Sequence, residues 1–169
     1  MSRLGLTALL PTCRDGRNVV LVLPVERLCE TTVRSAAAYT RGRGGILTFA
    51  LIMPWPPPMS AGAVALPYGE LWFDYELRTD MELSQILYDT DVAWTLAPVF
   101  HVPRDIPNLA GSVGAGVVLI PDSGRSGWFS TARRRARRLA AEVSRLTGAA
   151  VHSVPVPWHE PVIPKDSPV

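Results

Sequence analysis

Short apolar runs alternate with stretches of helical periodicity along most of this chain. The run NVVLVL at 18–23 is almost continuously apolar, which is the pattern of a strand buried on both faces. The run ILTFALIM at 46–53 has the same character. Because strands buried on both faces need cover above and below, the alternation predicts a parallel sheet with helices on both sides.

The alternation extends over five strands and four helices. The pattern predicts strands at 18–23, 46–53, 92–100, 117–120 and 150–156, and helices at 26–40, 70–89, 105–113 and 129–146. Pro98 and Pro121 should break the third and fourth strands, because proline lacks the N–H that a ladder uses. The order predicts one three-layer α/β sandwich with right-handed crossovers over 18–157. An extension precedes it at 1–17, and a proline-containing tail follows at 158–169.

Helical spacing also predicts which residues face the sheet. The predicted inward residues are Leu28, Thr32, Ala36 and Tyr39 on the first helix, Leu71, Tyr75, Leu83, Ile86 and Leu87 on the second, and Ala132, Ala136, Leu139, Ala140, Val143 and Leu146 on the last. Cys29 should be a small buried hydrophobe on the first helix. Pro155 and Pro157 lie two residues apart in the last strand, which predicts that this strand is at an edge.

The segment 117–138 contains a strand, a loop with two glycines and an arginine-rich helix, in that order. These are the parts of an anion site at the carboxyl end of a parallel sheet. Glycines allow close backbone approach, and an arginine can pair with phosphate. The candidate ligand-binding residues are Pro24, Val25, Asp122, Gly124, Arg125, Ser126, Gly127, Ser130 and Thr131. A turn whose glycines serve geometry alone is the open alternative.

Charge is unevenly distributed although the net charge is only +2. Acids outnumber bases seven to one over 70–91, whereas bases outnumber acids seven to one over 125–145. Two solvated helix faces are one interpretation, and partner surfaces or self-association through complementary charge are the other. The candidate partner-contact residues are Trp55, Pro57 and Tyr68 in the proline-rich loop 54–69, Arg133, Arg134 and Arg137 on the last helix, and Trp158 in the tail.

The residue pattern favours a protein partner or a homodimer. It does not favour nucleic acid, because no aromatic or base-reading pattern accompanies the arginines. A peripheral membrane contact stays open. No apolar run approaches the ~18–20 residues of a membrane span, and the cytoplasm is the expected location.

The sequence offers no catalytic constellation. His101, His152 and His159 are scattered and lack metal-ligand spacing. No Ser-His-Asp set, carboxylate pair or Cys-His pair can be assembled, and two cysteines are too few for a disulfide scaffold. We therefore expect no catalytic residue and no metal site.

Over about residues 18–157 the chain resembles the universal stress protein family. The resemblance rests on NVVLVLPVERLCETTVRSAAAYTRGRGG followed by ILTFALIMPW, and on DIPNLAGSVGAGVVLIPDSGRSG. It implies a five-stranded parallel sheet in the order 3-2-1-4-5, with ATP or another adenine nucleotide as a ligand. Dimerisation through the fifth strand is also implied.

The nucleotide motif is matched in part. Gly124 and Gly127 correspond to its first two glycines. The later Gly-Ser or Gly-Thr of the family falls at Arg137 and Arg138, and the family's adenine-contacting acid falls near Pro24 or Val25. The expected function is a non-catalytic stress-response or regulatory protein that senses a ligand or binds a protein. An accessory subunit of a larger complex is one alternative, and a nucleotide hydrolase or transferase is another.

Overall fold

A computed structural model describes residues 16–23, 28–53, 68–122 and 129–155. Its strands are β1 (Asn18–Leu23), β2 (Leu47–Ile52), β3 (Trp94–Val99), β4 (Ala115–Asp122) and β5 (Ala150–Pro155). Its helices are α1 (Glu30–Arg43), α2 (Tyr68–Ile86), α3 (Val102–Ser112) and α4 (Phe129–Thr147). The elements alternate along the chain as the sequence predicts.

The five strands form one parallel sheet in the order β3-β2-β1-β4-β5. This confirms the α/β sandwich and the strand order that the resemblance implies. β5 is an edge strand, as the proline spacing predicts. Within the described ranges, no helix has the length and apolar composition needed to cross a membrane.

Two apolar clusters cover the two faces of the sheet. On one face, Val19 and Leu21 of β1 pack with residues of α1 and α2. On the other, Val20 and Val22 pack with residues of α3 and α4. Alternate residues of a strand point to opposite faces, and every residue of β1 is buried. This explains why the central strand has an almost unbroken apolar sequence.

A buried side chain ties the amino end of the sheet together. The Asn18 side chain donates from Nδ2 to the Val113 carbonyl at 2.6 Å, and its Oδ1 accepts from the Ile46 N–H at 2.9 Å. Nearby, Gly116 lies against Gly16, where an added Cβ would approach the Gly16 carbonyl oxygen to 1.9 Å. The amino end therefore has no room for side chains at this contact.

The expectation that prolines break two strands is wrong. Pro98 lies inside β3, opposite Leu51, and Pro121 lies inside β4, opposite Val154. β3 is an edge strand, so a missing N–H is tolerated there. Pro121 follows the last pair between β4 and β1, Leu21 with Leu119, so β4 needs fewer donors at that point.

Several helix bounds and inward residues also differ from the prediction. α1 begins at Glu30 and α3 at Val102, whereas α2 begins at Tyr68, inside the predicted loop. Three predicted inward side chains are exposed instead: Tyr39, Leu71 and Leu146. The buried positions Leu83, Leu87, Leu139 and Val143 are as predicted.

Candidate ligand site at the carboxyl end of the sheet

The direction in which successive strands are added to the sheet reverses between β1 and β4. From β1 the chain adds β2 and then β3 on one side, and it adds β4 and then β5 on the other. α1 follows the carboxyl end of β1, and α4 follows the carboxyl end of β4. In parallel α/β sheets, the crevice outside the strand ends at such a reversal is the usual place for a ligand.

The strands that flank this crevice have different lengths. β1 ends at Leu23, which is buried. β4 continues to Asp122, which pairs through its backbone with Pro155 of β5. The structure therefore places Asp122 at the carboxyl end of β4, beside the crevice and two residues beyond the predicted end of this strand. Its side chain lies outside the described part of the chain.

The first turn of α1 lies at the same end of the sheet. Cys29 occupies the N-cap position in an extended conformation, and no side-chain hydrogen bond caps the helix. Thr32, in this first turn, is only 6% exposed. Its Oγ1 is buried and, apart from the Cys29 thiol beside it, has no hydrogen-bond partner among the described residues. A helix N-terminus carries partial positive charge and unpaired N–H groups, so this turn suits a ligand oxygen.

The prediction that Cys29 is buried within the first helix is wrong. Its thiol is partly exposed just before the helix, and Sγ lies 3.1 Å from the Thr31 hydroxyl. Burial alone would raise the pKa of this thiol, but hydrogen bonds from the hydroxyls of Thr31 and Thr32 and from their backbone N–H groups outweigh it. The net result is a pKa below the ordinary value.

The lowered pKa predicts a pH-dependent reactivity of Cys29. In a Cys13→Ser background, the rate of iodoacetamide alkylation should rise with a midpoint below that of a model cysteine peptide in the same buffer, since the thiolate is the reacting form. Thr31→Ala should move that midpoint upward. A midpoint equal to that of the peptide would contradict the assignment.

A carboxylate binds backbone N–H groups in the turn that follows β3. The Asp105 carboxylate accepts from the N–H groups of Phe100 and His101 at 3.1 and 2.8 Å, and from Arg104 Nε at 2.9 Å. The bond from the His101 N–H is the main reason that the pKa of Asp105 is lowered. Beside it, the Phe100 ring meets Trp72 of α2 edge to face, with centroids 5.1 Å apart. These contacts fix the turn between β3 and α3.

Asp105→Ala should destabilise the fold by about 1 kcal/mol, because two backbone donors lose their acceptor. The folded pKa of Asp105 is depressed, so its contribution is present above the unfolded pKa of about 3.9 and is lost as the pH falls through the folded pKa. Urea unfolding of both proteins from pH 7 to pH 2 should show the difference between them shrinking only at the acid end. A difference that is constant across this range would contradict the role of the carboxylate.

Most of the predicted ligand-binding residues lie outside the described part of the chain: Pro24, Val25, Gly124, Arg125, Ser126 and Gly127. The same is true of three predicted partner-contact residues, Trp55, Pro57 and Trp158. Tyr68 is the first residue of α2, and Ser130, Thr131 and Arg133 lie in α4, but their side chains are outside the description. Arg134 and Arg137 are exposed on α4.

Sequence reasoning missed Thr32 as a member of the site. Its position on the inward side of α1 is predictable from periodicity, but whether its hydroxyl finds a partner depends on tertiary packing. Within the described ranges, no group of three or more histidine, cysteine or acidic residues is arranged to hold a metal ion.

Solved structures with the same architecture cover most of this chain. A universal stress protein in complex with cAMP superposes with a TM-score of 0.54 and 16% identity, covering 83% of this chain and 97% of that one. The fold is that of the universal stress proteins. A family member from Burkholderia pseudomallei gives a TM-score of 0.57 at 14% identity, covering 83% and 96% of the two chains. The universal stress protein of Archaeoglobus fulgidus in complex with dAMP gives 0.51 at 17% identity, covering 80% and 95%.

The likeness to universal stress proteins lies in the fold, because the identities are low. No protein-family model matches the chain, and no curated protein matches it. The order and spacing of the elements are alike, while most side chains differ.

Proposed function

We propose that this chain is a non-catalytic regulatory protein with a universal stress protein fold. Its ligand is an adenine nucleotide bound in the crevice between the carboxyl ends of β1 and β4. The observation that carries the proposal is the reversal of strand order between β1 and β4, with α1 and α4 both starting at that end. Two structures of the same fold are complexes with cAMP and dAMP.

The residues favour a nucleotide with one phosphate. The chain has the Gly-x-x-Gly loop of Gly124 and Gly127, but Arg137 and Arg138 stand where the family motif continues. A single glycine loop with Arg125 and a helix N-terminus supplies donors for one phosphate group. The buried Thr32 hydroxyl adds a donor from the α1 side.

Calorimetric titration with AMP, cAMP, dAMP, ADP and ATP tests the proposal. We expect a heat of binding with at least one monophosphate, and weaker binding of ATP. Absence of binding across the panel by a protein that melts cooperatively would overturn it. Nucleotide recovered unchanged after long incubation would support the non-catalytic part, whereas catalytic turnover would refute that part alone.

Two pairs of variants locate the site. Thr32→Val removes the hydroxyl with little change of shape and should weaken binding, whereas Thr79→Val removes a buried hydroxyl that already bonds to the Tyr75 carbonyl and should not. Arg125→Glu should also weaken binding, and Arg41→Glu on the exposed end of α1 is its control. If both variants of either pair changed the binding affinity equally, the ligand would bind elsewhere than in this crevice.

An accessory subunit is the second candidate function. It is favoured by exposed apolar side chains along α2. The regulatory role, the cytoplasmic location and the absence of catalysis stay predictions until these measurements are made.

A further inference from the structure

The exposed surface of α2 carries a row of apolar side chains. Phe73, Leu77 and Met81 are spaced four residues apart, so they lie along one face of the helix. They are 64%, 47% and 56% exposed. The opposite side of α2 is buried at Thr79 and Leu83. Single exposed hydrophobics are ordinary, but a row along one helix indicates a contact surface.

Acidic side chains border this apolar row on both sides. By helical position, Asp74 and Glu82 lie along one side, with the exposed Arg78 between them, and Glu76 and Asp80 lie along the other, so acids outnumber bases four to one. None of these four carboxylates forms an ion pair within the described part of the chain. We call the apolar row with its acidic borders the α2 face. A partner for it must cover apolar surface and carry positive charge.

The α2 face does not suit an anionic membrane or a second α2 face. Anionic lipids repel the carboxylates that border the apolar row. Two α2 faces packed together would bring eight carboxylates to one interface, and like charges oppose such a pairing. The complement must therefore be basic.

The chain carries such a complement on α4. Arg134, Arg138 and Arg145 are exposed and share the outward side of this helix, with Arg137 beside them. Glu142 is the one acid on this side, so bases outnumber acids four to one. Leu139 and Val143 on the other side of α4 are buried. None of the four arginines forms an ion pair among the described residues. We call these arginines the α4 face.

We propose that the α2 face of one copy of this chain binds the α4 face of a second copy. Arginine stems are apolar and can lie over Phe73, Leu77 and Met81, while the guanidinium groups pair with the bordering carboxylates. A guanidinium over the Phe73 ring adds a cation–π contact. The row on α4 is long enough to cover the row on α2, since a rise of ~1.5 Å per residue gives about 12 Å for residues 73–81 and about 16.5 Å for residues 134–145.

The position of the two faces determines the type of assembly. α2 packs on one side of the sheet and α4 on the other. The contact is therefore heterologous, and each added copy leaves one α2 face and one α4 face free. Such a contact gives a ring or an open chain of copies rather than a closed dimer. It also leaves the edge of β5 and the crevice beside β1 outside the interface.

Sedimentation velocity over a range of concentrations and salt tests the assembly. At about 0.05 M salt we expect the average mass to rise with concentration beyond that of a dimer. At about 1 M salt, where the Debye length is about 3 Å, the species should return to monomer. A monomer at every concentration would overturn the proposal, and so would a dimer that salt does not affect.

Complementary charge reversal identifies the two faces. The variant Asp74→Lys/Glu82→Lys and the variant Arg134→Glu/Arg138→Glu should each weaken self-association by roughly tenfold or more. Mixed together they should assemble again, because the reversed α2 face of one fits the reversed α4 face of the other. All four positions are exposed, so each variant should melt like the parent.

The control and the alternatives give distinct results. Arg41→Glu, an exposed charge reversal on α1, should leave self-association unchanged. A symmetric contact between two α2 faces would respond to the α2 variant but not to the α4 variant. Failure of the two variants to assemble on mixing, with both folded, would overturn the proposal. Nucleotide titration of the Asp74→Lys/Glu82→Lys variant should be unaffected, because α2 lies outside the proposed ligand site, so its failure to self-associate can be told apart from a failure of that site.

Discussion

Phe49→Ala is expected to lower the free energy of unfolding by about 3–5 kcal/mol, because it removes a large side chain from the centre of a packed core. Phe49 lies in the middle of β2 and is fully buried. Its ring meets Trp94 of the neighbouring strand edge to face, with centroids 5.8 Å apart and planes at 75°. The substitution therefore loses both the free energy of burying the ring and the contact between the two aromatic rings.

Urea unfolding followed by circular dichroism would measure this change. Tyr88→Ala is the matched control, because it also truncates an aromatic ring, but at a position that is 92% exposed. Its effect should be within about 0.5 kcal/mol. A loss below 2 kcal/mol for Phe49→Ala, on the order of a small core truncation, would mean that the cluster on this face of the sheet is looser than the contacts indicate.

The strands that were easiest to predict are those with the most constrained environment. β1 and β2 are covered on both faces, so nearly every residue must be apolar, and the runs are visible in the sequence without any knowledge of the fold. β3 and β5 are edge strands with half-buried or exposed positions, and their ends are less sharply marked. Pro121 misled the prediction because the effect of a missing N–H depends on which neighbouring strand is still paired at that residue.

Periodicity predicted most of the inward side of α2, since Tyr75, Leu83 and Ile86 pack in the core as expected, but it failed at Leu71. Apolar residues occur on two sides of this helix: Leu83 is buried, as is Leu87 just after the helix, whereas Leu71, Phe73, Leu77 and Met81 are exposed. A helix that is apolar on more than one side has no single stripe that identifies its inward face. The sequence predicted Leu71 as inward for this reason. The α2 face can be identified only from the structure, which shows which side of α2 packs against the sheet.

The candidate site was predictable in its location but not in its details. The order of elements and the glycine loop after β4 indicate the carboxyl end of the sheet, and the strand order places β4 beside β1 there. The state of the Cys29 thiol and of the Thr32 hydroxyl depends on hydrogen bonds in the first turn of α1. Such contacts follow from a helix start at Glu30, four residues later than the periodicity indicates.

Gly45→Ala is expected to be the second strongly destabilising change, by about 1–3 kcal/mol or more. A Cβ at this position would lie 2.1 Å from the Arg17 carbonyl oxygen, 2.5 Å from its carbon and 3.0 Å from the Asn18 nitrogen. All three are backbone atoms at the start of β1, so the clash cannot be relieved by a rotamer change. The chain must shift where the Asn18 Oδ1 accepts from the Ile46 N–H.

Gly42→Ala, three residues earlier in the chain, is the control for Gly45→Ala. Gly42 lies in α1, and a Cβ there meets nothing within 4 Å. This substitution should be neutral or stabilising by up to about 1 kcal/mol, since alanine loses less backbone entropy in a helix. Thermal and urea unfolding of the two variants side by side would measure the contrast. Similar stabilities would show that the amino end of the sheet can separate from the loop before β2, and that the bonds of Asn18 do not hold these segments together.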